Sequence, residues 1–401
     1  MYEDAPMYPV HSHFPRSVAA LSAAAFALVL TGFPAPPIAA AAGDPAAPAV
    51  TRLPLRDGAR NPQVAVSGNS LWVVYVMKDE NNAYCRRSQD GGATWSVPTR
   101  INSTPGCVSS AMERGPRIAV GKDGVLHVVW APQWPPGGDQ VWYSQTRDGL
   151  DFTPQRDIRQ VPKPHDEPNV TADGQGNVYA TWLDSRSPAD PNSPVAAPIY
   201  LAVSHDNGAT WAPSEKIRSD YPGNFCGCCM PRPFLGADGS IYLAARGGYQ
   251  NVRDIWLLHQ LPDQTWKSTR ISNNNWILNG CPMSGPSTAM GPDGIDVAWM
   301  SQGRVYWNRL APGAAAPGPA IGLRAPAGSP AGQQNYPLVL TNPQGITCAA
   351  WNQGGDVCWE TFSRTMDPIA SGDLGTGIGD GFAAGRVTGF VTPAGDFKVV
   401  F

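Results

Sequence analysis

GPRIAVGKDGVLHVVW (residues 115–130) is the stretch that decides the fold. A proline sits near its start, a Lys-Asp-Gly turn divides it, and an aromatic closes it. Two short β-branched runs joined by such a turn make a β-hairpin. Proline is tolerated at the first residue of a strand, where no ladder bond is lost. The same pattern returns as NPQVAVSGNSLWVVYV (61–76), EPNVTADGQGNVYATW (167–182), MPRPFLGADGSIYLAA (230–245), GPSTAMGPDGIDVAW (285–299) and YPLVLTNPQGITCAAW (336–351). The opening prolines are Pro62, Pro116, Pro168, Pro231, Pro286 and Pro337, spaced by 51 to 63 residues. A second hairpin follows in most copies, as in YCRRSQDGGATWSVPTRI (84–101). Four strands in each repeat of about 50 residues is the pattern of a β-propeller. Six openings therefore predict an all-β, six-bladed β-propeller of four-stranded blades over residues 50–364. VTRLPL (50–55) is expected to close the ring as an added strand of the last blade. Residues 365–401, Gly-rich and then strand-like, are expected to complete or decorate that blade.

Composition agrees with this and excludes other classes. The 401 residues include 43 Gly and 41 Pro, and 15% are charged, which rules out a coiled coil or helical bundle. A net charge of −3 leaves no basic footprint for nucleic acid. Residues 1–42 read as a secretory signal peptide: a polar start with Arg16, the apolar stretch SVAALSAAAFALVLTGF (17–33), then small residues up to Ala42. Residues 43–49 form a leader. The chain is expected to be secreted or periplasmic, monomeric, free of any membrane span after cleavage, and without a cofactor.

Export makes the eight cysteines candidates for disulfides. Cys348 and Cys358 flank a tight turn and could bridge neighbouring strands. Cys85 and Cys107 form a second candidate pair. Cys226, Cys228, Cys229 and Cys281 stand apart as a group. They could form an inter-blade disulfide or, with Met283 and Met230, a soft metal site.

Within the second hairpins lie SQDGGATW (88–95), SHDNGATW (204–211) and the degenerate TRDGLDFT (146–153). These resemble the Asp-box, S-x-D-x-G-x-T-W, of the sialidase-like BNR-repeat propellers. The chemistry is that of a turn: Asp90 and Asp206 accept backbone N–H bonds, Gly92 and Gly208 permit left-handed backbone, and Trp95 and Trp211 pack between blades. A closer resemblance, to exported bacterial proteins labelled exo-α-sialidase-like, lies in ERGPRIAV (113–120), FCGCCMPRP (225–233), RDIWL (253–257) and WILNGCPMSGPS (276–287).

Strand order puts the loops before the prolines on one face, around the central channel, the usual ligand site of such a ring. The Asp-boxes fall on the other face. The resemblance implies a glycoside hydrolase acting on a sialylated or other acidic glycan. Arginines would clamp the substrate carboxylate with bidentate geometry. Arg60-Asn-Pro62 and Arg114-Gly-Pro116 have the spacing of the family's R-I-P motif, and Arg246 and Arg253 are further candidates. Tyr336 would be the nucleophile, Glu167 its base and Asp166 the acid/base. His165 and Trp276 complete the candidate binding set. Two alternatives stay open: a propeller that binds glycan or peptide without catalysis, and a metal-binding or redox propeller built on Cys226–Cys229 and Cys281.

Overall fold

The computed structural model describes residues 47–111, 113–133, 140–161, 165–186, 196–376 and 386–401. The expected signal segment lies outside them. No helix among the described residues is long and apolar enough to cross a membrane.

Seven antiparallel hairpin sheets follow one another along the chain, so the ring has seven blades rather than six. The innermost strands of the first six are Ala59–Ser67, Arg117–Val120, His165–Ala172, Arg232–Leu235, Ser287–Gly291 and Gln334–Thr341. Those of blades two, four and five begin directly after their opening proline, those of blades one, three and six carry it as the fourth residue, and each leads a four-stranded meander. Residues 365–401 divide between two blades. Pro368–Thr376 is the outer strand of blade six, while Thr388–Val391 and Phe397–Val400 form the hairpin of blade seven. The N-terminal strand Val50–Leu53 does close the ring, but on this seventh sheet, where it pairs in parallel with Phe397–Val400.

Closure is visible in the core. Seven apolar clusters fill the seven gaps between neighbouring blades. Leu71, Val73 and Tyr75 of blade one meet Phe390 and Val400 of blade seven; Leu338 and Ala350 of blade six meet Val399 from the other side. A blade thus buries both faces of its second strand. That is why Ser70–Met77, Leu126–Trp130 and Gly294–Ser301 read as near-continuous apolar runs instead of alternating. The repeated aromatics Trp130, Trp182, Trp299 and Trp351 are fully buried in these gaps.

Both full Asp-box segments fold as turns. Asp90 accepts from the Thr94 amide (2.9 Å) and hydroxyl (2.6 Å); Asp206 does the same with Thr210 at 2.8 and 2.6 Å. These bonds, with those from Ser88 and Ser204, hold both carboxyls down at about 2. Gly208 has φ +83°, and a Cβ there would overlap the Tyr143 hydroxyl of blade two. Gly208→Ala is expected to lower unfolding free energy by about 2–4 kcal/mol, combining overpacking with a left-handed alanine. Gly68→Ala, also left-handed but in open space, should cost about 1 kcal/mol. Urea midpoints of the two variants check the difference.

The expected outer disulfides do not form. Cys348 pairs with Thr361 and Cys358 with Trp351, three rungs out of register on neighbouring strands, and both thiols are free. Cys85 and Cys107 are also free; the Cys107 sulfur lies 3.5 Å from the Gln155 amide nitrogen.

Candidate functional site

Each inner strand is entered by the residue before its proline, and those residues gather at the axis. They are Asn61, Gly115, Glu167, Met230, Gly285 and Tyr336. Blade seven supplies Arg386 in the same place: its Thr392–Asp396 turn carries the same backbone bonds as Asn342–Ile346 of blade six, which aligns Arg386 with Tyr336. Neighbours in this ring touch. A Cβ on Gly115 would overlap the Asn61 side chain, and the Arg386 guanidinium lies 3.4 Å from the centre of the Tyr336 ring. Asn61, Glu167 and Tyr336 all have φ of 51°, at bulges where the strand register skips the proline. The left-handed kink turns each side chain out of the sheet. Backbone strain of this kind is characteristic of functional sites.

Charged side chains fill the centre. Glu113, in the loop leading into blade two, reaches across to blades four and five. One carboxylate oxygen accepts from the amides of Met230 (3.1 Å) and Gly285 (2.9 Å), and the other from Arg232 (3.2 Å). Its own carbonyl accepts from Arg117 at 2.6 Å. Arg117 is sealed from solvent, donates also to the Met230 sulfur, and is pulled down to about 9 by burial and the Arg232 charge. Arg114 holds Asp166 in a bidentate pair at 2.5 Å on both arms. This pair keeps some solvent contact, with side-chain exposures of 16% and 28%.

Glu167 lies beneath the pair, fully buried. Neither carboxyl oxygen has a hydrogen-bond partner among the described residues, and Arg114 stands 4.0 Å away. Burial, then the neighbouring Asp166 and Glu113 charges, push this carboxyl well above the usual range. Burial also raises the Tyr336 hydroxyl, with Arg386 pulling the other way.

Of the candidates named from the sequence, Arg114, Asp166 and Glu167 lie against one another, while Tyr336 packs against Arg386. Arg60 is near: with Arg52, Arg56 and Arg386 it lines a cavity of 250 Å³ between blades seven and one. Arg246 and Arg253 do not join them. Both are buried and give their donors to the carbonyls of Ser284, Met300, Arg253, Leu278 and Gly247, and to the Asn251 side chain, bracing loops of blades four and five. Trp276 packs under Arg246, 5.7 Å from ring centre to guanidinium carbon. The His165 side chain lies outside the described residues. Sequence reasoning missed Arg117, Arg232 and Arg386 and did not give Glu113 a role. The signal for Arg117 and Arg232 was the shared x-Pro-Arg opening of blades two and four.

Beside the ring, Cys228 and Cys281 form a disulfide joining the loops before blades four and five. Cys226 and Cys229 remain thiols, 3.5 and 3.8 Å from the Cys281 sulfur. The bond from Cys229 draws the Cys226 thiol down to about 7, while burial raises Cys229.

These features define a closed propeller with a charged, mostly sealed axis. No family profile matches the sequence. No curated protein matches it either. Among solved structures, a protein of unknown function from Dyadobacter fermentans superposes with a TM-score of 0.51 at 14% identity, over 81% of this chain and 96% of that one. A Hadza microbial sialidase superposes with a TM-score of 0.50 at 15% identity, over 80% of this chain and 71% of its own. At these identities the likeness is one of fold: the chain shares the propeller architecture of sialidase-type proteins.

Proposed function

We propose that this chain is a glycoside hydrolase of sialidase type, acting on a glycan that carries an acidic group. The observation that carries the reading is the Asp166–Glu167 pair: two adjacent carboxyls, one clamped by Arg114 and one fully buried with no hydrogen-bond partner among the described residues, in a ring that also holds Tyr336. Environments that make neighbouring carboxyls unlike each other mark acid and base assignments. Glu167 is the proton donor to the leaving glycosidic oxygen as the C–O bond breaks. Tyr336 attacks the anomeric carbon as its phenolic proton passes to the Asp166 carboxylate; water then breaks the tyrosyl–sugar bond, giving its proton to Glu167 while Tyr336 recovers its own from Asp166. Arg60, Arg386, Arg52 and Arg56 receive the substrate's acidic group. Since Glu167 and Tyr336 are sealed, the Arg114–Asp166 pair must swing aside when substrate enters. Signal-directed export fits a substrate met outside the cell.

The same sealing favours a second reading, a propeller that binds an acidic glycan at the arginine-lined cavity without turnover. Fluorogenic sialosides and uronides, assayed with the wild-type chain, Tyr336→Phe and Arg60→Ala, separate the two. Hydrolysis lost in Tyr336→Phe supports catalysis. Binding that Arg60→Ala weakens, with no product from any substrate, supports the second reading. Neither binding nor turnover rejects both.

A further inference from the structure

Four sulfurs meet where two would suffice. Cys226, Cys229 and Cys281 have their Sγ atoms within 4.8 Å of one another, and Cys228 is bonded to Cys281. Among the described residues no other group of ligating side chains converges in this way. The remaining cysteines are dispersed: Cys85 and Cys107 belong to the gap between blades one and two, and Cys348 and Cys358 lie on strands of blade six.

A disulfide explains two sulfurs and leaves two. Cys226 and Cys229 are 1% and 2% exposed, and both point at the sulfur that is already bonded. Metal thiolate geometry accounts for the approach of Cys226 and Cys229 to Cys281. With metal–sulfur bonds of about 2.3 Å, tetrahedral sulfurs sit about 3.8 Å apart. The separations of Cys226 and Cys229 from Cys281 are 3.5 and 3.8 Å.

The surroundings also suit a held thiolate. The Met283 amide donates to the Cys281 sulfur at 3.3 Å, an outer-shell bond of the kind that orients metal ligands. Residues Phe225–Cys226 are pinned as a strand against Ala196–Ala197, which fixes one side of the cluster. The Cys-x-Cys-Cys spacing places three ligands on one loop, and Cys281 comes from the next blade.

We propose that Cys226, Cys228, Cys229 and Cys281, as thiolates, bind one thiophilic d10 ion, zinc(II) or copper(I), that ties blade four to blade five beside the axis. For zinc, four thiols give up four protons to form a tetrathiolate. The Cys228–Cys281 disulfide is the competing fate of the same sulfurs when no ion is loaded: dioxygen takes up the two electrons and two thiol protons as hydrogen peroxide, leaving the S–S bond. This site does not rest on the hydrolase reading, since none of its ligands belongs to the Asp166–Glu167–Tyr336 set.

The test uses the full chain, purified without oxygen in a phosphine reductant. Titration with cobalt(II) is expected to give thiolate-to-cobalt charge-transfer absorption saturating at one equivalent. Zinc should displace it. If copper(I) binds and zinc cannot displace it, the ion is copper. Either result supports the site. Cys226→Ser and Cys229→Ser should weaken binding by more than about a hundredfold, beyond the cost of losing an outer-shell contact. Cys107→Ser, outside the cluster, should leave it unchanged. Absence of the absorption while all four thiols are alkylatable would overturn the proposal. So would an absorption that survives both Cys226→Ser and Cys229→Ser.

Discussion

Glu113→Ala is expected to destabilise the chain by about 3–5 kcal/mol, as removing one partner of a buried charge pair does. One carboxylate joins the loop before blade two to the Met230 and Gly285 amides and to Arg232. Without it, two buried amides lose their acceptor, and Arg117 and Arg232 face each other without an intervening negative charge. Each orphaned amide alone costs about 1–3 kcal/mol. Glu113→Gln keeps the shape and one acceptor, so it should recover part of the loss. Urea denaturation of both variants reads this directly. A midpoint within error of wild type for the alanine variant would show that the axis does not depend on this crossing.

Glu167→Gln should abolish turnover while strengthening the fold at higher pH. A general acid contributes about 10²–10⁴-fold to rate, and kcat on an acidic glycoside should fall by that factor. The stability effect has a definite sign. Burial raises the Glu167 carboxyl in the folded state. Its contribution to stability is therefore complete below the unfolded glutamate value of about 4.3 and is lost as pH rises through the raised folded value. Glutamine stays neutral throughout. The variant should match wild type near pH 4 and gain on it as pH climbs above the unfolded value toward the raised folded one. Parallel stability curves for the two proteins between pH 4 and pH 9 would remove the protonated carboxyl from the account. Retained turnover would remove the catalytic role alone.

Much of this architecture could be read before any coordinates. The x-Pro openings, the turns and the buried Trp130, Trp182, Trp299 and Trp351 announced a propeller because each reflects a local demand: a strand start, a hairpin, a gap between blades. The seventh blade escaped for an equally local reason. Its hairpin keeps the turn at Thr392–Asp396, but Arg386-Val387 stands where the other six have a residue and a proline. The mutual contact of Arg114, Asp166 and Glu167 follows from their places at the entries of neighbouring inner strands, which the x-Pro spacing marks. The inward aim of Arg117 and Arg232 was not legible, because it depends on contacts with Glu113, local for Arg117 and crossing from blade two to blade four for Arg232. Arg246 and Arg253 misled because an arginine near a channel can equally serve loop carbonyls, and only geometry separates the two.

The parallel pairing of Val50–Leu53 with Phe397–Val400 has a consequence for biogenesis. The segment that seals the ring is made long before its partner. Until residue 400 emerges, blades one and six both offer an unpaired apolar flank to their surroundings. Contacts between such distant segments form slowly, and exposed flanks of this kind invite self-association at high concentration. Folding yield in the cell should therefore depend on how long the nascent ring is kept apart from its neighbours.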